Sequence, residues 1–237
     1  VTGVQTCALP IFGGYRELRY VLRHPAAEHK VTFNPLAGFD LNPWDDEDEI
    51  PGKAAYGAKA LIDELHSALD PKAYRKAVAL LAESEFIDIF GVENSLTPAM
   101  DLFTKLGYLG LTCRLNTDAY LQQIGAGHLP HGAVAVAFSH SGSSADTVKA
   151  LRLAKSHGAK TIAITNAIGA PLTSWADVTL LTGRDSHTIY GNAIFSRVAD
   201  TALVDMLYMG VILSDYGRFS TALDESGRMI RDRVFEN

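Results

Sequence analysis

The densest chemistry in the chain lies at Ser139-His140-Ser141-Gly142-Ser143-Ser144, continued by Ala145-Asp146-Thr147. An apolar run of β type, Ala133 to Phe138, precedes it. Val148, Leu151 and Ala154 follow at the spacing of one helical face. A strand end, a hydroxyl-rich turn and a helix N-terminus aim unpaired backbone N–H groups and the positive end of the helix dipole at one spot. That is the chemistry of an anion site, and we read the stretch as a phosphate-binding loop. The alternative is ordinary N-capping by Ser143 or Ser144, which needs only one hydroxyl. The loop carries more serines than a cap uses.

The elements that must position this loop alternate along the chain. Strands are predicted at Phe86–Phe90, Leu111–Leu115, Ala133–Phe138, Thr161–Thr165 and Val178–Thr182. Between them come helices at Thr97–Leu106 (Met100, Phe103 and Leu106 inward), Asp118–Ile124 and Ser144–Ser156, and a helical turn near Pro171–Trp175. This order predicts an α/β fold, a five-stranded parallel sheet sandwiched by helices. Helices Ala54–Leu65 and Pro71–Glu83, the latter capped by Asp70, precede the sheet. A long apolar helix over 194–214 and a polar one from Asp224 to Phe235 follow it.

Ligands of such sheets bind beyond the carboxyl ends of the strands. The loop after the first strand reads Gly91-Val92-Glu93-Asn94-Ser95. Gly91 lets backbone approach a ligand; Asn94 and Ser95 either cap the next helix or donate to a phosphate. Asn166 follows the fourth strand. Gly183-Arg184-Asp185-Ser186-His187 follows the fifth, and Arg184 there has two candidate partners, a phosphate or Asp185 at the surface.

No catalytic set assembles from these residues. A nucleophile elbow needs Gly-x-Ser-x-Gly, which the serine loop lacks. Glu93 and His140 are the one conceivable acid–base pair, for aldose–ketose isomerisation. Glu93 would repel a phosphate and better suits hydroxyls, and His140 is better read as a loop residue without a proton-transfer role. There is no Walker motif and no dinucleotide fingerprint. We expect no catalytic residue, no metal and no cofactor.

Composition narrows the class further. The 237 residues are 47% hydrophobic and 20% charged, the balance of a globular chain. A formal net charge of −6 argues against most of the surface binding nucleic acid. No apolar run reaches the roughly 18–20 residues of a membrane span. Cys7 and Cys113 make neither a disulfide framework nor a metal spacing. Residues 1–12 match nothing that follows; they resemble translated sequencing-adaptor read-through and are expected to be non-native. Gly13 to Arg23 is a short basic amphipathic helix. Residues 31–52, with Pro35, Pro43, Pro51 and the run Asp45 to Glu49, read as a linker. The acidic run is a solvated leader to the next helix, with a metal or partner patch as the alternative.

With both loops placed, residues 70–215 resemble the sugar isomerase (SIS) family of phosphosugar-binding domains. The serine loop, Gly91 to Ser95, and Ala159 to Asn166 leading to Ala170-Pro171-Leu172 carry the likeness. The resemblance implies a flavodoxin-like three-layer fold, a domain over 53–237 and a phosphorylated sugar as ligand. By position, Ser139, Ser141 and Ser144 match the phosphate-loop hydroxyls, Ser95 matches the first-loop serine, and His140 lies near the sugar. Gly91, Asn94, Gly142, Ser143 and Thr147 complete the candidate site. Family members commonly carry a second glycine where this chain has Glu93.

The string Phe12 to Arg19 is similar to the end of the helix-turn-helix domain of MurR/RpiR-type transcriptional regulators. That similarity implies a helix-turn-helix remnant over 13–30, with most of the DNA-binding domain missing upstream. It also implies a cytoplasmic homodimer or homotetramer, with operator DNA bound only by the intact protein. Helices 194–214 and Ala54–Leu65 are the candidate subunit contacts. The alternative reading is a sugar-phosphate isomerase or etherase-like SIS enzyme.

Overall fold

The computed structural model describes residues 12, 14–23, 39–183 and 196–231. Five strands, β1 (Ile87–Phe90), β2 (Cys113–Leu115), β3 (Val134–Phe138), β4 (Lys160–Thr165) and β5 (Val178–Leu181), form one sheet in the order β2-β1-β3-β4-β5. Every pairing is parallel, as expected for strands joined by helical crossovers. The helices are α1 (Tyr15–Arg23), α2 (Ile50–Ala68), α3 (Pro71–Glu83), α4 (Leu96–Tyr108), α5 (Ala119–Ala126), α6 (Ala145–Ser156), α7 (Val198–Ser214) and α8 (Tyr216–Met229).

Strand periodicity divides the core into two layers. Ile87 and Ile89, Val134, Val136 and Phe138, Ile162 and Ile164, and Val178 and Leu180 face one way. Against them pack Leu81 of α3, Leu102 and Leu106 of α4, and Leu203, Leu207 and Val211 of α7. The alternate residues Ala133, Ala135, Ala137 and Ala163 face the other way, against Ala150, Leu151 and Ala154 of α6. The run Ala133 to Phe138 is therefore two patterns interleaved. Its large residues meet the thick helical layer, and its alanines let α6 approach closely.

Several elements depart from expectation. Met100 is 44% exposed, and the inward stripe of α4 is Ala99, Leu102 and Leu106. At about 100° per residue, Met100 is turned away from Ala99. Helix α2 starts at Ile50, because Pro51 falls in the first turn, where a missing N–H costs nothing. The last helix starts at Tyr216 rather than Asp224: the Asp215 carboxylate accepts from the Arg218 N–H at 3.1 Å, and the fully buried Phe219 anchors it. It ends at Met229, and residues 232–235 of the expected helix lie outside the described residues. Helix α7 buries Leu203, Val204, Leu207 and Val211 within its own chain and leaves Met209 and Leu213 exposed.

The described part of the expected linker, 39–49, contains the acidic run, which is engaged with basic side chains. Arg16 of α1 donates to Glu49 at 2.8 Å and to Asp46 at 3.1 Å, and Lys53 of α2 donates to Asp45 at 2.8 Å. Hydrogen bonding and charge from Arg16 hold the Glu49 carboxyl below its ordinary value. No metal-binding cluster occurs among the described residues, and no described helix is long and apolar enough to cross a membrane.

One ion pair is built into the sheet. Asp88 of β1, almost fully buried, accepts from Arg114 Nε at 3.0 Å and Nη2 at 2.6 Å on its register partner in β2. The guanidinium lies over the Phe86 ring, 5.2 Å from its centroid, and against Gly125 of α5. Burial pushes the Asp88 carboxyl up despite this partner. Arg114→Met keeps the stem but strands the carboxylate. It should lower unfolding free energy by about 2–3 kcal/mol in urea titration, discounted because Arg114 is part-exposed.

Candidate functional site

The strand order reverses between β1 and β3. From β1 the chain crosses one way, through α4 to β2, and then returns past β1 through α5 to β3. Helices α4 and α6 consequently leave adjacent strands for opposite faces of the sheet. The crevice at such a switch point is where open parallel sheets bind ligands. The two loops that flank it are Gly91–Ser95 and Ser139–Ser144.

The serine loop is held by its own backbone. The Ser139 N–H donates to the Ile164 carbonyl at 3.0 Å, and the Ser139 carbonyl accepts from Gly142 N–H at 2.9 Å. The His140 carbonyl accepts from the Asn166 N–H and from Thr165 Oγ1, each at 3.0 Å. The Gly142 carbonyl accepts from Leu172 N–H at 2.9 Å. Gly142 sits at φ +60°, and a Cβ there would lie 2.4 Å from Ala170 Cβ and 2.9 Å from Thr165 Oγ1. Both the dihedral and the space demand glycine.

The hydroxyls are not spent on capping. Ser144 is the N-cap of α6, yet its side chain makes no cap hydrogen bond; it accepts instead from Thr147 Oγ1 at 3.3 Å. Ser143 Oγ donates to the Ser141 carbonyl at 3.2 Å, and Ser141 Oγ accepts from Ser143 N–H at 3.3 Å. Asp70 and Asp118, by contrast, accept from first-turn N–H groups of α3 and α5. Ser139, Gly142 and Thr147 are buried, His140 and Ser144 half-buried, and Ser141 and Ser143 exposed.

In the other loop, Gly91 is buried, and a Cβ on it would meet the Ser95 carbonyl oxygen at 3.0 Å. Residues Glu93–Ser95 form one 3-10 turn, closed by Ser95 N–H donating to the Val92 carbonyl at 3.0 Å. Ser95 stands at the N-cap of α4, again without a side-chain cap bond. Asn94 is exposed and Ser95 half-buried. Glu93 has φ +51°, the left-handed region. The position where the sequence departs from glycine is one whose backbone conformation favours glycine.

His140 lines a cavity of about 20 Å³ together with Glu64 of α2, Asn166, Thr182, Ser196 and Asp200. Burial pushes the imidazole down to about 4, and the nearby Arg197 guanidinium adds to the shift. The ring is therefore neutral at neutral pH. Arg197 Nε lies 3.8 Å from Asp200 Oδ2. Burial lowers the guanidinium and raises the Asp200 carboxyl, with each partner opposing the other's shift. Glu93 is exposed and is not among the residues lining this cavity. Gly183 sits against Asn166 and Glu64, while residues 184–187 fall outside the described set.

Reading the loops alone misses three contributors. Thr165 holds the His140 carbonyl, Glu64 reaches the cavity from a helix before the sheet, and Gln122 of α5 grips Gly91. Only Thr165 carried a local signal, at the end of its strand.

The family signature of the SIS domain matches residues 80–210, more than half of the chain. The chain belongs to the SIS domain family. This SIS domain is 30% identical over 193 residues to an HTH-type transcriptional regulator of Caldanaerobacter subterraneus, covering 81% of this chain and 68% of that protein. It is 23% identical over 219 residues to the HTH-type transcriptional regulator RpiR of Escherichia coli, covering 92% of this chain and 73% of RpiR. The resemblance to RpiR-type regulators thus holds over most of the length. Among solved structures, Vibrio vulnificus NanR complexed with ManNAc-6P superposes with a TM-score of 0.75. The sequences are 23% identical, and the match covers 97% of this chain and 80% of NanR.

Two outcomes follow from the site's strain and burial. Glu93→Gly removes a left-handed penalty of about 1–2 kcal/mol and adds unfolded-state entropy worth about 0.5–1. A net gain of about 0.5–1 kcal/mol should appear in urea unfolding. The His140 ring, near 6.5 when unfolded and about 4 when folded, makes the unfolded chain bind more protons between those values. Stability should therefore fall as pH drops through that window, and His140→Gln should flatten that limb of the unfolding midpoint against pH.

Proposed function

We propose that this chain is the effector-sensing part of a transcriptional regulator, and that it binds a phosphorylated sugar between the loops 91–95 and 139–144 without transforming it. The observation that carries this reading is the N-terminus of α6. Its N-cap serine leaves the first-turn N–H groups without a side-chain acceptor, inside a loop whose shape is locked by backbone bonds to Ile164, Asn166 and Leu172. A phosphate supplies the acceptors such a terminus lacks and gains from its dipole.

Binding without turnover fits the surrounding groups. His140 is neutral and faces a small cavity whose lining does not include Glu93. Neither is poised to move a proton between sugar carbons. The similarity to regulators, and the ManNAc-6P bound by NanR, support a sugar phosphate as effector. In the whole regulator, the effector would shift a cytoplasmic homodimer or homotetramer between states of different operator affinity, a coupling between two sites.

Calorimetry with a panel of hexose, N-acetylhexosamine and pentose phosphates tests this. Each hydroxyl bonded to phosphate is worth about 1.5–3 kcal/mol, so Ser139→Ala/Ser141→Ala should weaken the best ligand by roughly a hundredfold or more. Equal affinities in wild type and variant for every phosphosugar would overturn the loop assignment. NMR time courses with aldose and ketose phosphates should show no interconversion.

A further inference from the structure

Gln122 lies in the middle of α5 and is 1% exposed. Its side-chain amide makes three hydrogen bonds. Nε2 donates to the Gly91 carbonyl at 2.7 Å and to the Asn116 carbonyl at 2.8 Å, and Oε1 accepts from Gly91 N–H at 3.3 Å. The ladder between β1 and β3 ends at Phe90 and Ala137, so Gly91 is the first residue beyond strand pairing. Gln122 replaces the missing strand there, exchanging a donor and an acceptor with one residue of backbone. Buried backbone groups require such partners. A glutamine is an expensive way to supply them, since burying it costs rotamer freedom as well as hydration.

The place of the clamp gives it consequence. Gly91 opens the loop that ends at Ser95, and the two residues are already in close approach. Asn116 follows β2, so one side chain ties the carboxyl ends of two strands to α5. The next residue, Gln123, donates from Nε2 to the Asp146 carboxylate at 3.1 Å, in the first turn of α6. Helix α5 thereby touches the first loop and the first turn of α6 through consecutive residues. The serine loop, however, is fixed by its own bonds to β4 and to Leu172 and does not depend on Gln122.

We infer that Gln122 is the positioning residue of this site: through Gly91 it sets Ser95 against the ligand, while the serine loop holds the phosphate unaided. The inference rests on reading the site as phosphosugar-binding. Gln122→Glu keeps the shape and leaves at most one O–H donor for the two carbonyls; Gln122→Met, of similar length and apolar, carries the same measurement if the glutamate variant does not fold. Calorimetry compares the phosphosugar that the wild type binds most tightly with inorganic phosphate.

The variant should bind the phosphosugar about tenfold more weakly and inorganic phosphate within about twofold of wild type. In double-mutant cycles its loss should be non-additive with Ser95→Ala and additive with Ser141→Ala. Unchanged phosphosugar affinity, an equal loss for both ligands, or additivity with Ser95→Ala would each overturn the role of Gln122. A wild type that binds no phosphosugar would instead overturn the reading of the site, and the positioning role with it.

Discussion

The crevice of this SIS domain depends on an absent methyl group. Gly142 combines a positive φ with a packing distance that no side chain survives, against Ala170 and the Thr165 hydroxyl. That contact brings the serine loop down onto the end of β4, where the His140 carbonyl meets Asn166 and Thr165 and the Gly142 carbonyl meets Leu172. The loop's shape is set by backbone bonds, and its serine hydroxyls are not spent on capping α6.

The two loops are built on different principles. The serine loop draws its shape from bonds to the strand beside it and to the segment at Ala170–Leu172. The first loop is gripped from α5 by Gln122 and carries a left-handed glutamate at Glu93. Strain of this kind persists only where surrounding structure over-determines the conformation. Here Gly91 and Ser95, on either side of Glu93 in the chain, approach closely, and Gly91 is gripped by Gln122.

The charged groups divide between sheet and periphery in the same spirit. Asp88 and Arg114 pair inside the sheet, where leaving either unpaired is costly, and they do so beneath α5. The acidic run before α2 engages Arg16 through exposed pairs, which contribute little alone, and Lys53 through the part-buried Asp45. Helix α2 begins at that run and reaches the cavity beside His140 through Glu64, so one helix spans from the N-terminal segment to that cavity.

The order of elements, the parallel sheet and the serine loop were legible in the sequence, because strand and helix periodicities and a run of hydroxyls are local signals. Pro71 after Asp70 marked the start of α3 for the same reason. Helix faces were less so: Met100 and Leu102 are equally apolar, and only packing against α7 decides which turns inward. The start of α8 at Tyr216 rests on Phe219 reaching the core, which composition does not reveal. Gln122 and Glu64 carry no local mark, since each acts on a residue far away in sequence. The chain's own order determined what chemistry it carries and on which loops. The tertiary structure alone decided which hydroxyls escape capping, which imidazole is buried, and which buried amide grips Gly91, because those depend on distances that the fold creates.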